Sequence, residues 1–336
     1  MRKIKRLILF CIGMICLSAC QQSLQQHHIE GFAQGTYYSI RYYDAQNRNL
    51  QTQIDSLLDD FNKTASIFDP ASIISRINSN EENAILNDDF RKIFNIAMEV
   101  SRNTDGAFDV TVGQLVNAWG FGTEKRQEMT QERIDSLLLC VGYEKITLQN
   151  NRITKENPCV QLNFNAIAKG YSVDKIGEFL DNLEIEHYLI DIGGEIIAKG
   201  HKQGKSWNVG IEQPSGQKEE DREIITSIPL NDMALATSGN YRKYFEENGE
   251  RYAHTISPQT GYPAKHSLLS ATILHSKAVY ADAYATAFMV MGTEKALAFL
   301  KQHPEIQAFL IYEQDGILQT YSTEEMGELM VNSIEN

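Results

Sequence analysis

The feature of this chain that most constrains its fold is the irregular order in which helical and strand patterns follow one another. Some segments repeat apolar residues at helical spacing, and others are short runs rich in β-branched and aromatic residues. The predicted helices cover residues 50–62, 90–101, 165–183 and 278–291, and the predicted strands cover residues 36–43, 187–192, 207–211, 252–257 and 268–275. A doubly wound parallel sheet requires regular alternation of the two, so this order favours an α+β domain.

The first residues have the layout of a secretory signal. A basic start is followed by an apolar run over residues 7–17, and the tetrapeptide Leu17-Ser18-Ala19-Cys20 closes the segment. The apolar run is shorter than the roughly 20 residues that a membrane-spanning helix needs. The tetrapeptide resembles the bacterial lipobox, in which the cysteine is acylated and becomes the mature N-terminus. We therefore expect a signal peptide over residues 1–19 and a lipid on Cys20; the alternative is an ordinary signal peptide whose cysteine is incidental.

The rest of the chain divides into a tether and one domain. Residues 20–30 are polar and unpatterned and are interpreted as a lipidated tether, although the adjacent His27 and His28 leave metal binding as an alternative. From Gly31 the pattern is globular without a second linker or a repeat, so residues 31–336 are expected to form a single domain. The lipid would hold this domain at a membrane, facing the periplasm or another extracytoplasmic space.

Charge and cysteine content narrow the ligands and the chemistry. The formal charge is −13, and loss of the basic leader makes the remainder more acidic still. This balance argues against nucleic acid as a partner, and an anionic ligand needs local help from a metal ion, a helix N-terminus or single basic residues. Cys140 and Cys159 are the cysteines of the predicted domain. An oxidising compartment permits a disulfide between them, but we interpret them as two separate core residues.

Asp282 and Thr286 are the strongest candidates for a metal site. They lie four residues apart in an otherwise apolar helix and therefore share one face. A buried carboxylate is unfavourable unless it is paired, hydrogen-bonded or bound to a metal. A hard cation such as Mg²⁺ would suit these oxygen atoms, and the alternative is a structural Asp282 that accepts backbone hydrogen bonds.

Two other segments carry polar residues at the ends of predicted strands. Asn165 is a plausible helix N-cap, and Lys169 falls in the first turns, where a cation is unfavourable to the helix dipole unless it faces an anion. A solvated surface lysine is the alternative. The pair Gly193-Gly194 ends an apolar strand and allows either a close approach to a ligand or a tight turn.

His254 and an aromatic-rich segment complete the set. His254 is predicted to lie within a strand before a Pro/Gly turn, and it can act as a general base only if it faces a pocket. Residues 105–122 interleave glycines with aromatic residues, which favours either a pocket for a planar ring or ordinary core and turns.

Taken in order, these segments resemble the ApbE family, the FAD:protein FMN transferases, many of which are exported lipoproteins. The matching segments are residues 34–36, 68–70, 75–78, 106–113, 163–171, 191–194, 236–241, 252–261 and 281–286. The resemblance implies a single ApbE-like, T-fold-related α+β domain with mixed, largely antiparallel sheets and flanking helices. It also implies Mg²⁺ as cofactor and FAD as substrate, with FMN transferred to a threonine or serine hydroxyl of an acceptor protein and AMP released.

The resemblance also implies roles for single residues. The metal ligands would be the side chains of Asp282 and Thr286 and the backbone carbonyl of Ala166. His254 would be the catalytic base. The residues that would contact FAD are Gln34, Phe68, Ala107, Phe108, Asp109, Asn163, Lys169 and Ile256. Phe68 and the region of Phe108 would supply a flat apolar surface.

Two positions depart from the family pattern, and two alternative functions remain. Gln34 stands where methionine is usual, and Asn163 stands where aspartate is common. With water as acceptor the same site would make a metal-dependent FAD pyrophosphatase, and without chemistry the protein would be an FAD-binding lipoprotein. The acceptors implied by the resemblance are subunits of membrane redox complexes.

Overall fold

The computed structural model describes residues 24–214, 223–240, 244–247 and 250–332. The predicted signal peptide and Cys20 lie outside these residues. Within the described ranges, no helix combines the length and the apolar character that crossing a membrane requires.

The centre of the molecule is a sheet in which every neighbouring pair of strands is antiparallel. Its strand order is β1-β2-β5-β6-β9-β12-β13-β14. The strands of this sheet are β1 (Gln25–Ala33), β2 (Thr36–Asp44), β5 (Tyr188–Ile192), β6 (Glu195–Lys199), β9 (Met233–Gly239), β12 (Leu268–His275), β13 (Gln307–Gln314) and β14 (Ile317–Ser322). The separate hairpins are β3 (Ile146–Gln149) with β4 (Arg152–Lys155), β7 (Trp207–Glu212) with β8 (Ile224–Leu230), and β10 (Tyr244–Glu247) with β11 (Glu250–Ala253).

Helices pack on one face of this sheet, and two of them carry candidate site residues. The described helices are α1 (Gln51–Ala65), α2 (Ile73–Asn78), α3 (Asp88–Asn103), α4 (Gly113–Ala118), α5 (Gln131–Leu138), α6 (Ala168–Asn182), α7 (Ala278–Gln302) and α8 (Glu324–Asn332). Alternate residues of β2 and β5, including Ile40 and Ile190, are buried against α1 and α6. The intervening residues face the other way, as the strand period of two requires.

The opposite face of the sheet has a smaller core of its own. Tyr43 and Leu189 pack there with Trp207 of the β7–β8 hairpin and with Met326 of α8. The sheet therefore separates a helix-covered face from a hairpin-covered face. Its antiparallel pairing, mixed element order and flanking helices confirm the predicted α+β class.

Most predicted elements exist, and the helix break at Gly292 is confirmed. Gly292 has a φ of 76° inside α7, a left-handed conformation that interrupts the helix before it continues to Gln302. The predicted cap at Asn165 is wrong. Helix α6 begins at Ala168, with Ile167 at the N-cap position and no side-chain cap.

Three further expectations are corrected. Residues 25–30, predicted as tether, belong to β1, an edge strand in which only Ile29 is buried and whose polar sequence conceals the strand pattern. The strand before His254 ends at Ala253, so His254 follows a strand rather than lying inside one. Cys140 and Cys159 form a disulfide, with Cα atoms 5.4 Å apart, rather than standing as separate core residues. This bond ties the end of α5 to the segment that leads into the site.

Candidate active site

The site begins where α6 crosses α7 at very short range. Gly170 has no Cβ, and a Cβ placed there would lie 2.4 Å from the carbonyl oxygen of Ala278 and 2.8 Å from Cβ of Asp282. Because the two backbones approach so closely, the N–H of Gly170 donates a hydrogen bond of 2.9 Å to Oδ2 of Asp282. The first turn of one helix therefore holds the carboxylate of the other.

Asp282 is a buried acid at the positive end of a helix. Asp282 is only 3% exposed to solvent. Burial raises the pKa of the Asp282 carboxyl, while the Lys169 ammonium and the Gly170 N–H oppose this shift. A carboxylate in such a place is stabilised by donors, by the helix N-terminus or by a cation.

Lys169 and Glu195 form an ion pair beside Asp282. Glu195 is 2% exposed and begins β6 directly after the Gly193-Gly194 turn, in which both glycines have positive φ. Burial raises the pKa of Glu195, the charge of Lys169 opposes this, and the nearby Asp282 and Asp191 add to it. Lys169 is thus flanked by buried acids, which contradicts its interpretation as a merely solvated surface lysine. Glu195 was not among the predicted site residues.

Thr286 lies one turn beyond Asp282 on α7 and faces the end of β9. Its Oγ1 is 3.4 Å from Oγ of Ser238. Ala166 lies in the turn that precedes α6 and shares that segment with Lys169 and Gly170. Ser238 is a second residue that the site prediction missed, although it falls within one of the family-like segments.

The expected metal ligands are consistent in kind with a hard cation. They comprise the Asp282 carboxylate, the Thr286 hydroxyl and the carbonyl of Ala166, all oxygen donors, which Mg²⁺ prefers. Oδ2 of Asp282 accepts a hydrogen bond from the N–H of Gly170. In the described part of the chain no cluster of three His, Cys, Asp or Glu side chains could hold a metal ion. A set with one carboxylate is not a cluster of that kind, so the prediction rests on mixed oxygen donors.

Asn163 organises the turn that carries Ala166. Its backbone N–H donates to the carbonyl of Val110 at 2.7 Å, and its Oδ1 accepts the N–H of Asn165 at 2.8 Å. The amide oxygen can make this turn bond as an aspartate oxygen would. The departure from aspartate therefore removes a charge near the site and leaves the local turn intact.

The segment from Ala107 to Asp109 lies beside this turn but differs from expectation in its side chains. Phe108 is 2% exposed and packs in the main core, so its ring is not a surface for the flavin. Asp109 is buried as well, and its carboxylate accepts hydrogen bonds from the N–H and hydroxyl of Thr111 and from the N–H of Tyr143. Burial raises the pKa of Asp109. These contacts give both side chains a structural role and leave the backbone of the segment as the part that can line a ligand.

Gln34 and Phe68, the rim residues of the candidate site, lie in turns outside the helices that carry Lys169 and Asp282. Gln34 occupies the β1–β2 turn with a φ of 53°, and its Nε2 donates to Oγ of Ser172 on α6, which brings the turn against that helix. Its Oε1 is buried and has no hydrogen-bond partner among the residues that the structure describes. Phe68 is 65% exposed and follows α1, so its ring is available to a planar ligand.

The segment with His254 and Ile256 is held by an aromatic cluster. Ile256 is buried with Trp119, whose Nε1 donates to the carbonyl of Gly261 at 2.8 Å. The exposed His254 has its ring 6.3 Å from that of Phe121. Nε2 of Gln259 reaches the carbonyl of Asp105 at 3.2 Å and so connects this segment to the one with Ala107.

The antiparallel α+β domain, with a lysine and a buried carboxylate at the N-terminus of a helix, has the fold of the flavin transferase class of solved structures. The family model described as "ApbE family" matches residues 34–310 of this chain. The chain belongs to the ApbE family.

Known relatives and solved structures agree with this assignment. A Haemophilus influenzae protein named FAD:protein FMN transferase is 37% identical, with 96% of this chain and 97% of that protein covered. A Vibrio cholerae protein of the same name is 36% identical, with 93% and 95% covered. The solved flavin transferase ApbE from Vibrio cholerae superimposes with a TM-score of 0.82 at 34% identity, covering 91% of this chain and 99% of that one. The apo flavinyl transferase ApbE from Pseudomonas stutzeri has a TM-score of 0.81 at 30% identity, covering 92% and 98%.

Proposed function

We propose that this protein is an FAD:protein FMN transferase. It transfers the FMN part of FAD to a threonine or serine hydroxyl of an acceptor protein and releases AMP. The observation that carries the proposal is the hydrogen bond from Gly170 of α6 to Asp282 of α7, next to Lys169, in a chain whose full-length relatives bear this name. Burial of the Asp282 and Glu195 carboxylates costs free energy, which a bound ligand would help to offset.

The reaction requires one bond to form and one to break. The acceptor hydroxyl oxygen forms a phosphoester bond to the phosphorus of the FMN moiety, and the bond from that phosphorus to the bridging pyrophosphate oxygen breaks. The bridging oxygen leaves with AMP. The proton of the hydroxyl passes to His254, the candidate base.

Other residues of the chain would bind the pyrophosphate, the metal ion and the rings of FAD. The ammonium group of Lys169 and the positive end of the α6 dipole offset the negative charge of the pyrophosphate. Asp282, Thr286 and the carbonyl of Ala166 would hold Mg²⁺, which supplies charge stabilisation at the phosphoryl oxygens when bound. The rim residues Phe68 and Gln34 would contact the rings of FAD.

The location of the enzyme is part of the proposal. The N-terminal lipobox supports cleavage before Cys20 and acylation of that cysteine, so that the domain is held at a membrane surface outside the cytoplasm. Subunits of membrane redox complexes that expose a threonine or serine on the same side are the expected acceptors. A membrane-held enzyme meets such acceptors at raised local concentration.

One assay distinguishes the transferase from an FAD pyrophosphatase and from an FAD-binding protein. The protein is incubated with FAD, Mg²⁺ and an acceptor domain, and AMP and acceptor-bound flavin fluorescence are both measured. We expect equal amounts of AMP and covalent flavin, and loss of both when Mg²⁺ is chelated. AMP with free FMN alone supports the pyrophosphatase, and FAD binding without AMP refutes both enzymes.

His254 is tested separately through the acceptor. His254→Gln should lower the rate of flavin transfer and remove the dependence of that rate on a group titrating near neutral pH, while FAD affinity stays close to that of the wild type. An unchanged pH profile in this variant would contradict the role of His254 as base.

A further inference from the structure

A cavity of about 370 Å³ lies at the loop between β6 and β7, on the side of the sheet that carries the β7–β8 hairpin. Its lining combines three cations with neutral polar and apolar side chains. The lining residues are Arg41, Leu189, Lys202, Gln203, Lys205, Ser206, Trp207 and Asn208. Among the described residues no carboxylate lines it, although the chain as a whole has a net charge of −13. Its charge is therefore opposite to that of the protein around it.

The two lysines are held against each other by a tight turn. Lys202 and Lys205 exchange backbone hydrogen bonds of 2.7 and 3.1 Å, and Gln203 and Gly204 between them have positive φ. Directly opposed residues in such a pair have Cβ atoms about 5 Å apart, and like charges in this position are destabilising. Among the described residues, no carboxylate lies within ion-pair distance of Lys202, Lys205 or Arg41. An anion in the cavity would relieve this repulsion.

This cavity is distinct from the proposed active site because the sheet separates them. Arg41 and Leu189 alternate along their strands with Ile40 and Ile190, which face the helices. Lys169, Asp282 and Glu195 belong to the helix-covered face. Glu30 and Asp191 share the cavity's face of the sheet, but neither lines the cavity.

The position of the cavity indicates where its anion comes from. Strand β1 begins at Gln25, so five residue steps separate it from Cys20, a reach of at most about 18 Å. Gln25 pairs with Asp44 and His28 pairs with Arg41, which places Arg41 about 10 Å along the ribbon from that entry point. A lipid on Cys20 would therefore bring this part of the sheet close to the bilayer surface.

Exposed aromatic side chains on the same sheet face point to the same source. Tyr37 lies four residues before Arg41 on β2, so both project from one face, and its cross-strand partner is Phe32. Their exposures are 78% and 65%, and their rings make an edge contact with centroids 5.3 Å apart. Basic and aromatic side chains on one face are the combination that a lipid–water interface favours.

We propose that this cavity binds the phosphate of an acidic phospholipid headgroup and thereby sets the face of the sheet that rests on the membrane. The lipid on Cys20 provides attachment, and the cavity provides orientation. With the hairpin-covered face toward the bilayer, the helix-covered face and its active site are directed away from it, toward acceptor domains. This inference rests on the proposed lipid anchor at Cys20, but it does not depend on the transfer reaction.

The test uses the unacylated chain that begins at Gln21, because all described elements lie within residues 24–332 and a lipid would mask the effect. Binding to phosphatidylglycerol and phosphatidylcholine vesicles is measured by co-sedimentation at low and at high salt. We expect salt-sensitive binding to the former only. Lys202→Gln/Lys205→Gln should lower the partition coefficient about 25-fold, since each basic side chain near an anionic leaflet contributes roughly fivefold. The control Lys92→Gln/Lys295→Gln removes the same charge from exposed helical positions on the other face and should bind as the wild type does.

Two further arms separate the headgroup from other anions and from the enzyme's chemistry. Titration with inorganic phosphate should give no binding comparable to that of vesicles; saturable phosphate binding without a preference for phosphatidylglycerol would overturn the proposal. Equal vesicle binding by the cavity variant and its control would overturn it too. Flavin transfer to a soluble acceptor should be the same in both double variants, so a failure of the transferase assay is not confused with a failure here.

Discussion

The two halves of α6 show how one helix serves two purposes. In its N-terminal half, Lys169 and Gly170 meet the buried acids Glu195 and Asp282. At its C-terminal end, the carbonyl of Leu183 accepts a hydrogen bond of 2.9 Å from the Arg48 guanidinium. That guanidinium also donates to both carboxylate oxygens of Asp44. At the N-terminal end of α6, buried acids are expected to need a ligand. At the C-terminal end, the charges of Arg48 and Asp44 compensate each other.

The pKa values of two carboxyl groups express this difference. Asp174, in the N-terminal half, accepts the N–H groups of Ala278 and Val279 at the start of α7, yet burial raises its pKa to about 6. The guanidinium of Arg48 lowers the pKa of Asp44 to about 2. The backbone N–H donors to Asp174 do not offset the effect of burial on its pKa, whereas the positive charge of Arg48 does so for Asp44. The compensated pair Arg48–Asp44 thus lies at the end of α6 away from Lys169 and Asp282.

The largest effect is expected from Asp282→Asn. The amide keeps the size of the side chain and can accept the Gly170 N–H, but it loses the charge that would hold Mg²⁺. AMP release should fall by 100-fold or more. Mg²⁺ should raise the melting temperature of the wild type and not of the variant, because only a bound ion stabilises the folded state.

The matched control for this variant is Asp174→Asn, which alters a carboxylate on α6 that faces backbone N–H groups of α7. Its turnover should stay within a few-fold of the wild type even if its melting temperature falls. Equal loss of turnover in both variants would mean that the helix contact, rather than a metal ligand, explains the effect of Asp282.

The sequence predicted the parts of this arrangement that depend on local spacing. Asp282 and Thr286 are four residues apart in an apolar helix, and that pattern alone places them on one face. Lys169 stood out because a cation is disfavoured at a helix N-terminus. The α+β class followed from element order, and the antiparallel sheet confirmed it.

The parts that depend on distant contacts were missed. Glu195 follows a glycine pair in sequence, and only the packing of β6 against α6 shows that it is buried beside Lys169. Phe108 reads as a surface for a ring, but long-range packing places it in the core. The edge strand β1 has one buried residue, so its composition resembles a linker. The Cys140–Cys159 bond joins residues 19 positions apart, and no local pattern reports whether such residues meet.

Arg48→Met tests the C-terminal end of the comparison. It removes the donors to Asp44 and to the carbonyl of Leu183, leaving a carboxylate that is 2% exposed without its counter-charge. The free energy of unfolding should fall by about 2–3 kcal/mol, with catalysis at low temperature unchanged. The control is Arg152→Met, at an exposed position on β4. It should change the free energy of unfolding by less than about 0.5 kcal/mol.

The acid dependence of stability should change in the same variant. The pKa of Asp44 in the folded protein is about 2, below the ordinary aspartate value of 3.8, so the unfolded chain takes up the proton first as the pH falls. The wild type should therefore lose about 2 kcal/mol between roughly pH 4 and pH 2, and Arg48→Met should lose less. Parallel acid titrations of the two proteins would contradict the role assigned to this pair.

Asp174 should give a pH dependence of the opposite sign. Its pKa of about 6 in the folded protein exceeds the ordinary aspartate value of 3.8, so the folded protein holds a proton that the unfolded chain has released. The free energy of unfolding should fall by about 1–2 kcal/mol as the pH rises from roughly 4 to 6. Denaturant unfolding at several pH values should show this slope in the wild type and a flatter one in Asp174→Asn. The pH dependence of the free energy of unfolding is compared rather than its absolute value. The reason is that Asp174→Asn also removes one hydrogen-bond acceptor at the start of α7.

The smallest effect is expected from Lys199→Gln, near the same end of α6 as Arg48. Lys199 pairs with Asp181 at 2.9 Å, but the two side chains are 39% and 41% exposed. Water and salt screen such a pair, and the hydroxyl of Tyr188 remains as a donor to Asp181. The free energy of unfolding should change by less than about 0.5 kcal/mol at low salt and by less still at high salt. A loss as large as that of Arg48→Met would mean that exposed pairs, rather than the buried Asp44–Arg48 pair, hold this end of the helix, and the contrast between its two halves would then have a different physical cause.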